Sequence, residues 1–306
     1  MKTITIGKKK DIPAIAPGCM RIGGMAEADL HRWLGVAMER GAHFFDHADI
    51  YGGGNSEAVF GAAVKALNIP REKMLVQTKC GIRQGFFDFS KEYIIESCEK
   101  SLTRLGMDYV DYFLLHRPDT LVEPEEVAEA FAALHKAGKV RAFGVSNHNP
   151  GQMALLNKYL TGDLAIVINQ LQLSPTNTGM FDAGFNVNME NPPAINRDGS
   201  VLEYCRLHDI TIQTWSPFLY GFFEGVFLGS DKFPELNKQI DELAAQYNVS
   251  AEAIVIAWIL RHPAGMQAIP GTTNADRLTG ICDAYNVTLT RPEWYAIYRA
   301  AGNVLP

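Results

Sequence analysis

Along the chain, short runs rich in Val, Ile and Phe alternate with longer stretches in which apolar residues return every three or four positions. The short runs have the length and side chains of buried strands, and the longer ones have the period of helices packed on one face. Such alternation is the pattern of parallel strands joined by crossover helices. Strands are predicted at "APGCM" (16–20), "HFFD" (43–46), "MLVQTK" (74–79), "VDYFLLH" (110–116), "KVRAFGVSN" (139–147), "AIVINQ" (165–170), "ITIQTWS" (210–216) and "MQAIPG" (266–271). Eight such strands within 306 residues predict a single-domain α/β fold, a (β/α)8 TIM barrel.

The helical stretches carry matching end signals. In 122–139, Val127, Ala130, Phe131, Leu134 and Ala137 share a face, glutamates crowd the first turn, and Lys136 and Gly138 mark the end. Three segments lie outside the alternation: a predicted hairpin at about 1–12, a long surface loop at about 174–200, and two helices over about 274–301. The Asn-, Gly- and Pro-rich 174–200 segment shows no periodicity, which is why it reads as a loop.

Polar residues stand at the C-terminal ends of the predicted strands: Asp46, Lys79, His116, Ser146 with Asn147, Gln170, and Trp215 with Ser216. In a parallel barrel these ends converge on one face, where barrel enzymes place their chemistry. A lysine beside an aspartate at a partly dry barrel mouth holds a fixed cation. A neighbouring tyrosine, supplied by Tyr51, is then expected to have its pKa lowered. With His116 beside it, such a phenol suits protonation of a carbonyl oxygen that is becoming an alkoxide. No side chain supplies a hydride, so this chemistry calls for a redox cofactor.

Composition narrows the partners. A net charge of -6, with no dense Lys/Arg run, argues against nucleic acid or an anionic membrane surface and for a small ligand. Five scattered cysteines without a Cys-x-x-Cys spacing fit a reducing compartment. The N-terminus lacks a signal pattern and the longest apolar run, 253–260, is short for a bilayer, so a cytoplasmic address is expected. A metal site built from His43, Asp46, His47 and Asp49 is disfavoured, because on a strand the two histidines share the face opposite Asp46.

These residues resemble the aldo-keto reductases from about Pro17 to the C-terminus. "FFDHADIYGGGNSEAVFG" looks like that family's segment bearing Asp46 and Tyr51, "VQTK" and "DYFLLHRPD" like those bearing Lys79 and His116. "GVSN", "NQ" and "WSPF" are similar to its cofactor-binding segments, and "LTRPEWYAIYRAAG" resembles a bacterial, channel-β-subunit-like branch. The resemblance implies reduction of an aldehyde or ketone, with Tyr51 as proton donor tuned by Lys79 and Asp46, and with His116 orienting the carbonyl. It implies no metal and a nicotinamide cofactor, held by Cys19, Met20, Ser146, Asn147 and Gln170, with Trp215 stacked on the ring. Ser216, Pro217, Phe218, Gly271, Thr272 and Arg277 would follow the rest of the cofactor. Arg277 suits a 2'-phosphate and favours NADP, whereas Gly271, where many members carry lysine, leaves NAD as the alternative. His47, Phe86, Phe87 and Arg117 are expected to border a small-molecule carbonyl substrate; the oligomeric state is left open.

Two other functions use the same residues. One is a barrel lyase with Lys79 as a Schiff-base nucleophile, the other a nicotinamide-binding regulatory subunit that senses redox state.

Overall fold

The computed structural model describes residues 2–187 and 189–303. In chain order its strands are β1 (Thr3–Ile6), β2 (Lys9–Pro13), β3 (Phe44–Asp46), β4 (Leu75–Cys80), β5 (Ile82–Arg83), β6 (Phe86–Phe87) and β7 (Val110–Leu115). They continue with β8 (Val140–Ser146), β9 (Ile166–Gln172), β10 (Thr211–Trp215), β11 (Leu219–Tyr220), β12 (Gly225–Val226) and β13 (Gln267–Ile269). The helices are α1 (Glu27–Glu39), α2 (Asn55–Ala66), α3 (Lys91–Leu105), α4 (Pro124–Lys136), α5 (Pro150–Asn157) and α6 (Gly179–Phe185). After them come α7 (Val201–Leu207), α8 (Pro234–Tyr247), α9 (Ala251–Leu260), α10 (Ala275–Cys282) and α11 (Arg291–Ala300).

Seven parallel strands form one sheet in the order β13-β10-β9-β8-β7-β4-β3, and helices surround it. The eighth position is filled without a regular strand. Residues 14–19 bridge β13 to β3 through isolated parallel bridges at Ile15 with Ala268 and at Gly18 with Asp46. The expected first strand is therefore corrected to an irregular closing segment. Ala16 and Gly18 donate to Ala268 and Pro270 at 2.9 Å each, the ordinary two-residue spacing toward β13, but on the β3 side Pro17 accepts from Asp46 and has no N–H to give.

The two-residue period of each strand separates two cores. Phe45, Val76, Phe113 and Val145 face outward against the helices, alongside Trp33 and Phe60. Phe44, Leu75, Tyr112, Leu114 and Ile168 face the lumen, whose lower end is sealed by Ile6 and Ile12 of the β1–β2 hairpin. Above this apolar layer the lumen turns polar. Gln267 donates to the Pro13 carbonyl at 2.5 Å, Gln213 to Gln267 at 2.7 Å and to Gln77 at 3.0 Å, and Gln77 to the Asp46 carboxylate at 2.5 Å. Every one of these amides is completely buried, so their mutual bonds offset the loss of water.

The expected long loop is partly helical: α6 and a short 3-10 turn at Pro192–Ala194 lie within it. Met180 and Phe181 bury one face of α6, and the Phe181 ring stacks on His262 at 5.0 Å. A seven-residue helix is too short to announce itself by period, and its burial is set by distant residues. Among the described residues no single helix is long and apolar enough to cross a membrane, and no cluster of His, Cys, Asp and Glu is arranged to hold a metal ion.

Two buried histidines predict acid sensitivity. Burial pushes His47 down to about 3 and His148 down to about 4. Both pKa values are depressed on folding, so the unfolded chain binds more protons below the ordinary histidine value of 6.5. The stability they contribute is present above that value and is lost as pH falls toward 4. Urea unfolding across this window should show a loss of about 1.4 kcal/mol per pH unit for each ring. A flat profile would mean that these rings are hydrated in solution.

Candidate active site

At the upper end of the lumen, β3 turns Asp46 inward and β4 does the same for Lys79. The Lys79 ammonium donates to Asp46 Oδ2 at 2.9 Å, to the His47 carbonyl at 2.7 Å and to Tyr51 Oη at 3.1 Å. Those three bonds use all three of its N–H groups. An ammonium can only donate, so Tyr51 accepts, and its own proton is left to point elsewhere. The remaining carboxylate oxygen of Asp46 accepts from Gln77 and, at 3.1 Å, from Gln170.

Burial opposes the charge on Lys79, but Asp46 and Tyr51 outweigh it and hold the ammonium above its ordinary value. For Tyr51 the balance reverses the expectation from sequence. Loss of water around the phenolate raises its pKa more than Lys79 lowers it. The phenol is thus kept protonated, as a proton donor requires.

The three glycines after Tyr51 have a structural cause. Gly52, Gly53 and Gly54 have φ of 58°, 63° and 92°, and a Cβ on Gly54 would lie 2.8 Å from the Arg104 side chain. This run turns the chain at once from Tyr51 into α2, where buried Glu57 accepts from Thr78 Oγ1 at 2.6 Å and from Arg104 at 2.7 Å. Asp49, just before Tyr51, accepts from Ser97 Oγ at 2.8 Å and from the Tyr93 hydroxyl at 3.2 Å. The Tyr51 turn is thereby braced on both sides from behind.

His116, at the end of β7, presents its ring edge-on to Tyr51 with centroids 5.9 Å apart. Burial and the nearby cations Lys79 and Arg117 hold it well below the ordinary histidine value, so it is neutral. Its Nδ1 is buried and has no partner among the described residues.

Asp46, Tyr51 and His116 line a cavity of about 620 Å³. Met20, Arg117, Ser146, Asn147, Gln170 and Trp215 share its wall, and it continues past Ser216, Pro217 and Phe218 to Gly271, Thr272 and Arg277. Asn147 and Ser216 hold φ of 59° and 51°, a left-handed backbone that non-glycine residues adopt at some cost. This backbone turns both residues at the strand ends into the cavity wall. The Trp215 indole donates to Asn147 Oδ1 at 3.3 Å, and Asn147 donates to Ser146 Oγ at 2.8 Å.

Residues 14–301 match the aldo/keto reductase family. The chain belongs to that family. It is an oxidoreductase, similar at 33% identity to a 6-dehydroglucose reductase of Agrobacterium fabrum, over 98% of each chain. It is 35% identical to oxidoreductase YdhF of Escherichia coli, over 90% of this chain and 89% of that one. The fold is matched by an aldo-keto reductase from Klebsiella pneumoniae solved with NADPH, with a TM-score of 0.79, 23% identity, and coverage of 99% and 96% of the two chains.

Within this aldo/keto reductase, four expected contacts lie elsewhere. Cys19 is completely buried in the outer core, because Gly18, its neighbour, is the residue that faces the cavity. His47 also points outward, its ring edge-on to Phe60 at 4.6 Å, as strand alternation after inward-facing Asp46 dictates. Phe86 and Phe87 sit exposed on the β5–β6 hairpin, where Phe86 covers the Arg83 guanidinium at 5.0 Å, and Ile82 is the hairpin residue that reaches the cavity.

The site also contains residues that sequence reasoning missed. Arg21, Phe223 and Glu252 line the cavity. Phe223 stacks on Trp215 at 5.8 Å, and Glu252 pairs with Arg277 Nε at 3.4 Å. The aromatic pair in "GFFEGV", two residues after "WSPF", was the available signal for Phe223. Glu252 had none, since α9 reads as a uniformly apolar core helix.

Proposed function

We infer that the protein reduces an aldehyde or ketone to an alcohol with NADPH. The observation that carries this reading is the direction of the Lys79 bonds, which leaves the Tyr51 proton free at a cavity wall. When bound, the cofactor supplies hydride to the carbonyl carbon. Tyr51 gives its proton to the oxygen, while the fixed charge of Lys79 favours the phenolate left behind. His116 is the histidine of this set rather than His47: it lines the cavity, is neutral, and can orient the carbonyl by a hydrogen bond from Nε2.

The residues present suit a nicotinamide dinucleotide. Amide groups of Asn147 and Gln170 share the wall with the Trp215 indole, and a guanidinium stands at the far end of the same cavity. A side chain at Gly271 would meet nothing within 4 Å of its first carbon, so this end is open. Arg277 would take the 2'-phosphate, which supports NADP as the main cofactor, while its pairing with Glu252 leaves NAD as the alternative. Lys79, completely buried with its N–H groups committed, is a poor Schiff-base nucleophile. We favour catalysis over a regulatory role, since a sensor has no need of the Tyr51 proton. The tail resemblance alone supports a channel-β-subunit-like branch. We place the reaction in the cytoplasm, in line with five buried free cysteines, and treat the chain as one domain.

Titration with NADPH and with NADH, followed by tryptophan fluorescence, tests this reading. Saturable quenching that favours NADPH is expected, because Trp215 faces the nicotinamide position. In Arg277→Ala the preference for NADPH should shrink. Absence of binding to either nucleotide would overturn the reading.

A further inference from the structure

The chain as a whole is acidic, at -6, yet its cavity carries an excess of unpaired positive charge. Two carboxylates line the cavity, and each already has a cation: Asp46 is held by Lys79 and Glu252 by Arg277. Arg21 and Arg117 line it with no carboxylate partner among the described residues. Arg117 is the more telling of the two. It is half-buried, and burial lowers its pKa with only Tyr51 acting against that shift. Partial desolvation of a guanidinium without an anion costs free energy unless something else recovers it.

Its surroundings also orient it. The guanidinium lies 5.8 Å from the centroid of Trp215 and 5.9 Å from that of Phe222. Aromatic faces hold a cation in place while leaving its N–H fork available. Arg117 follows His116 directly in the chain and faces the Tyr51 side, whereas the cofactor phosphates would lie at the other end, toward Thr272 and Arg277. The charge is thus spare where substrate sits.

We propose that the preferred substrate is an anionic carbonyl compound, whose carboxylate pairs with Arg117 while its aldehyde or ketone oxygen lies at Tyr51. The inference rests on the carbonyl-reductase reading above. A guanidinium fork matches a carboxylate through two parallel hydrogen bonds, and the Trp215 and Phe222 rings keep that fork in place. The apolar side chains of Ile50 and Ile82, also in the wall, would cover the carbon skeleton between the two polar ends.

The test compares 4-carboxybenzaldehyde with benzaldehyde, two aldehydes of similar reactivity that differ in charge. The wild-type protein with NADPH should favour the carboxylated aldehyde in kcat/KM by roughly tenfold to a hundredfold, mainly through KM. The ratio should fall toward one in Arg117→Gln, recover in part in Arg117→Lys, and shrink with added salt. Calorimetric binding of the same aldehydes to protein saturated with NADP+, where no hydride is available, should show the same preference and the same loss. Reduction of both aldehydes without preference, or a preference that survives Arg117→Gln, would overturn the anion site and leave the reductase reading intact. Failure to reduce either aldehyde, with the calorimetric preference present, would instead overturn the reductase reading and uphold the anion site. Absence of the calorimetric preference would overturn the anion site whatever the kinetics.

Discussion

Replacing Tyr51 with Phe lowers the rate of carbonyl reduction by roughly 10²–10⁴-fold, the usual contribution of a positioned proton donor. The ring is kept, so the packing against His116 and the Lys79 position are retained, and nucleotide affinity should change little. Single-turnover reduction, followed by the loss of NADPH absorbance, isolates the chemical step from product release. The pH dependence adds a second check. Burial holds Tyr51 above its ordinary value of 10.0, so the parent enzyme should not lose its proton donor at neutral pH. A Phe variant that reduces at the parent rate would show that the proton comes from another group.

Lys79→Met is expected to cost about 3–5 kcal/mol of stability as well as most of the activity. The ammonium is completely buried, and its removal leaves the Asp46 carboxylate with only the Gln77 and Gln170 amides as partners. Methionine fills much of the same volume, so packing loss is small and the uncompensated charge dominates. Urea unfolding of Lys79→Met, Asp46→Asn and the double variant separates the two effects. The double variant should regain most of the lost stability, because no buried charge is left alone, yet remain inactive, because Tyr51 has lost the cation beside its phenolate. If the double variant were no more stable than Lys79→Met, the pair would not be the source of the cost.

Asp46 and Lys79 could be brought together from sequence because each ends an apolar strand, and parallel strands in a barrel end on one face. The alternation that placed Asp46 inward equally placed His47 outward, so its position was legible too, even though it was expected at the substrate. Other features depended on distant partners. Nothing local to Glu252 shows that it meets Arg277, twenty-five positions on, or that Phe223 lies over Trp215. The closing segment lost its regularity at Pro17, a signal present in the sequence but outweighed by the apolar run around it. The direction of the Tyr51 shift was set by competition between burial and a neighbouring charge, and only burial in the folded chain decides it.

The glutamine column beneath the site fixes its own side-chain orientations. Gln267 gives its N–H to the Pro13 carbonyl at the base and accepts from Gln213, Gln213 and Gln77 exchange N–H groups, and Gln77 gives another to Asp46. Turning any one side chain over would set donor against donor or oxygen against oxygen, so the members hold one another's orientation. The catalytic carboxylate is therefore aimed from the bottom of the barrel as well as from its mouth. A change in the amino-terminal hairpin can reach the reaction without altering a single residue that touches it.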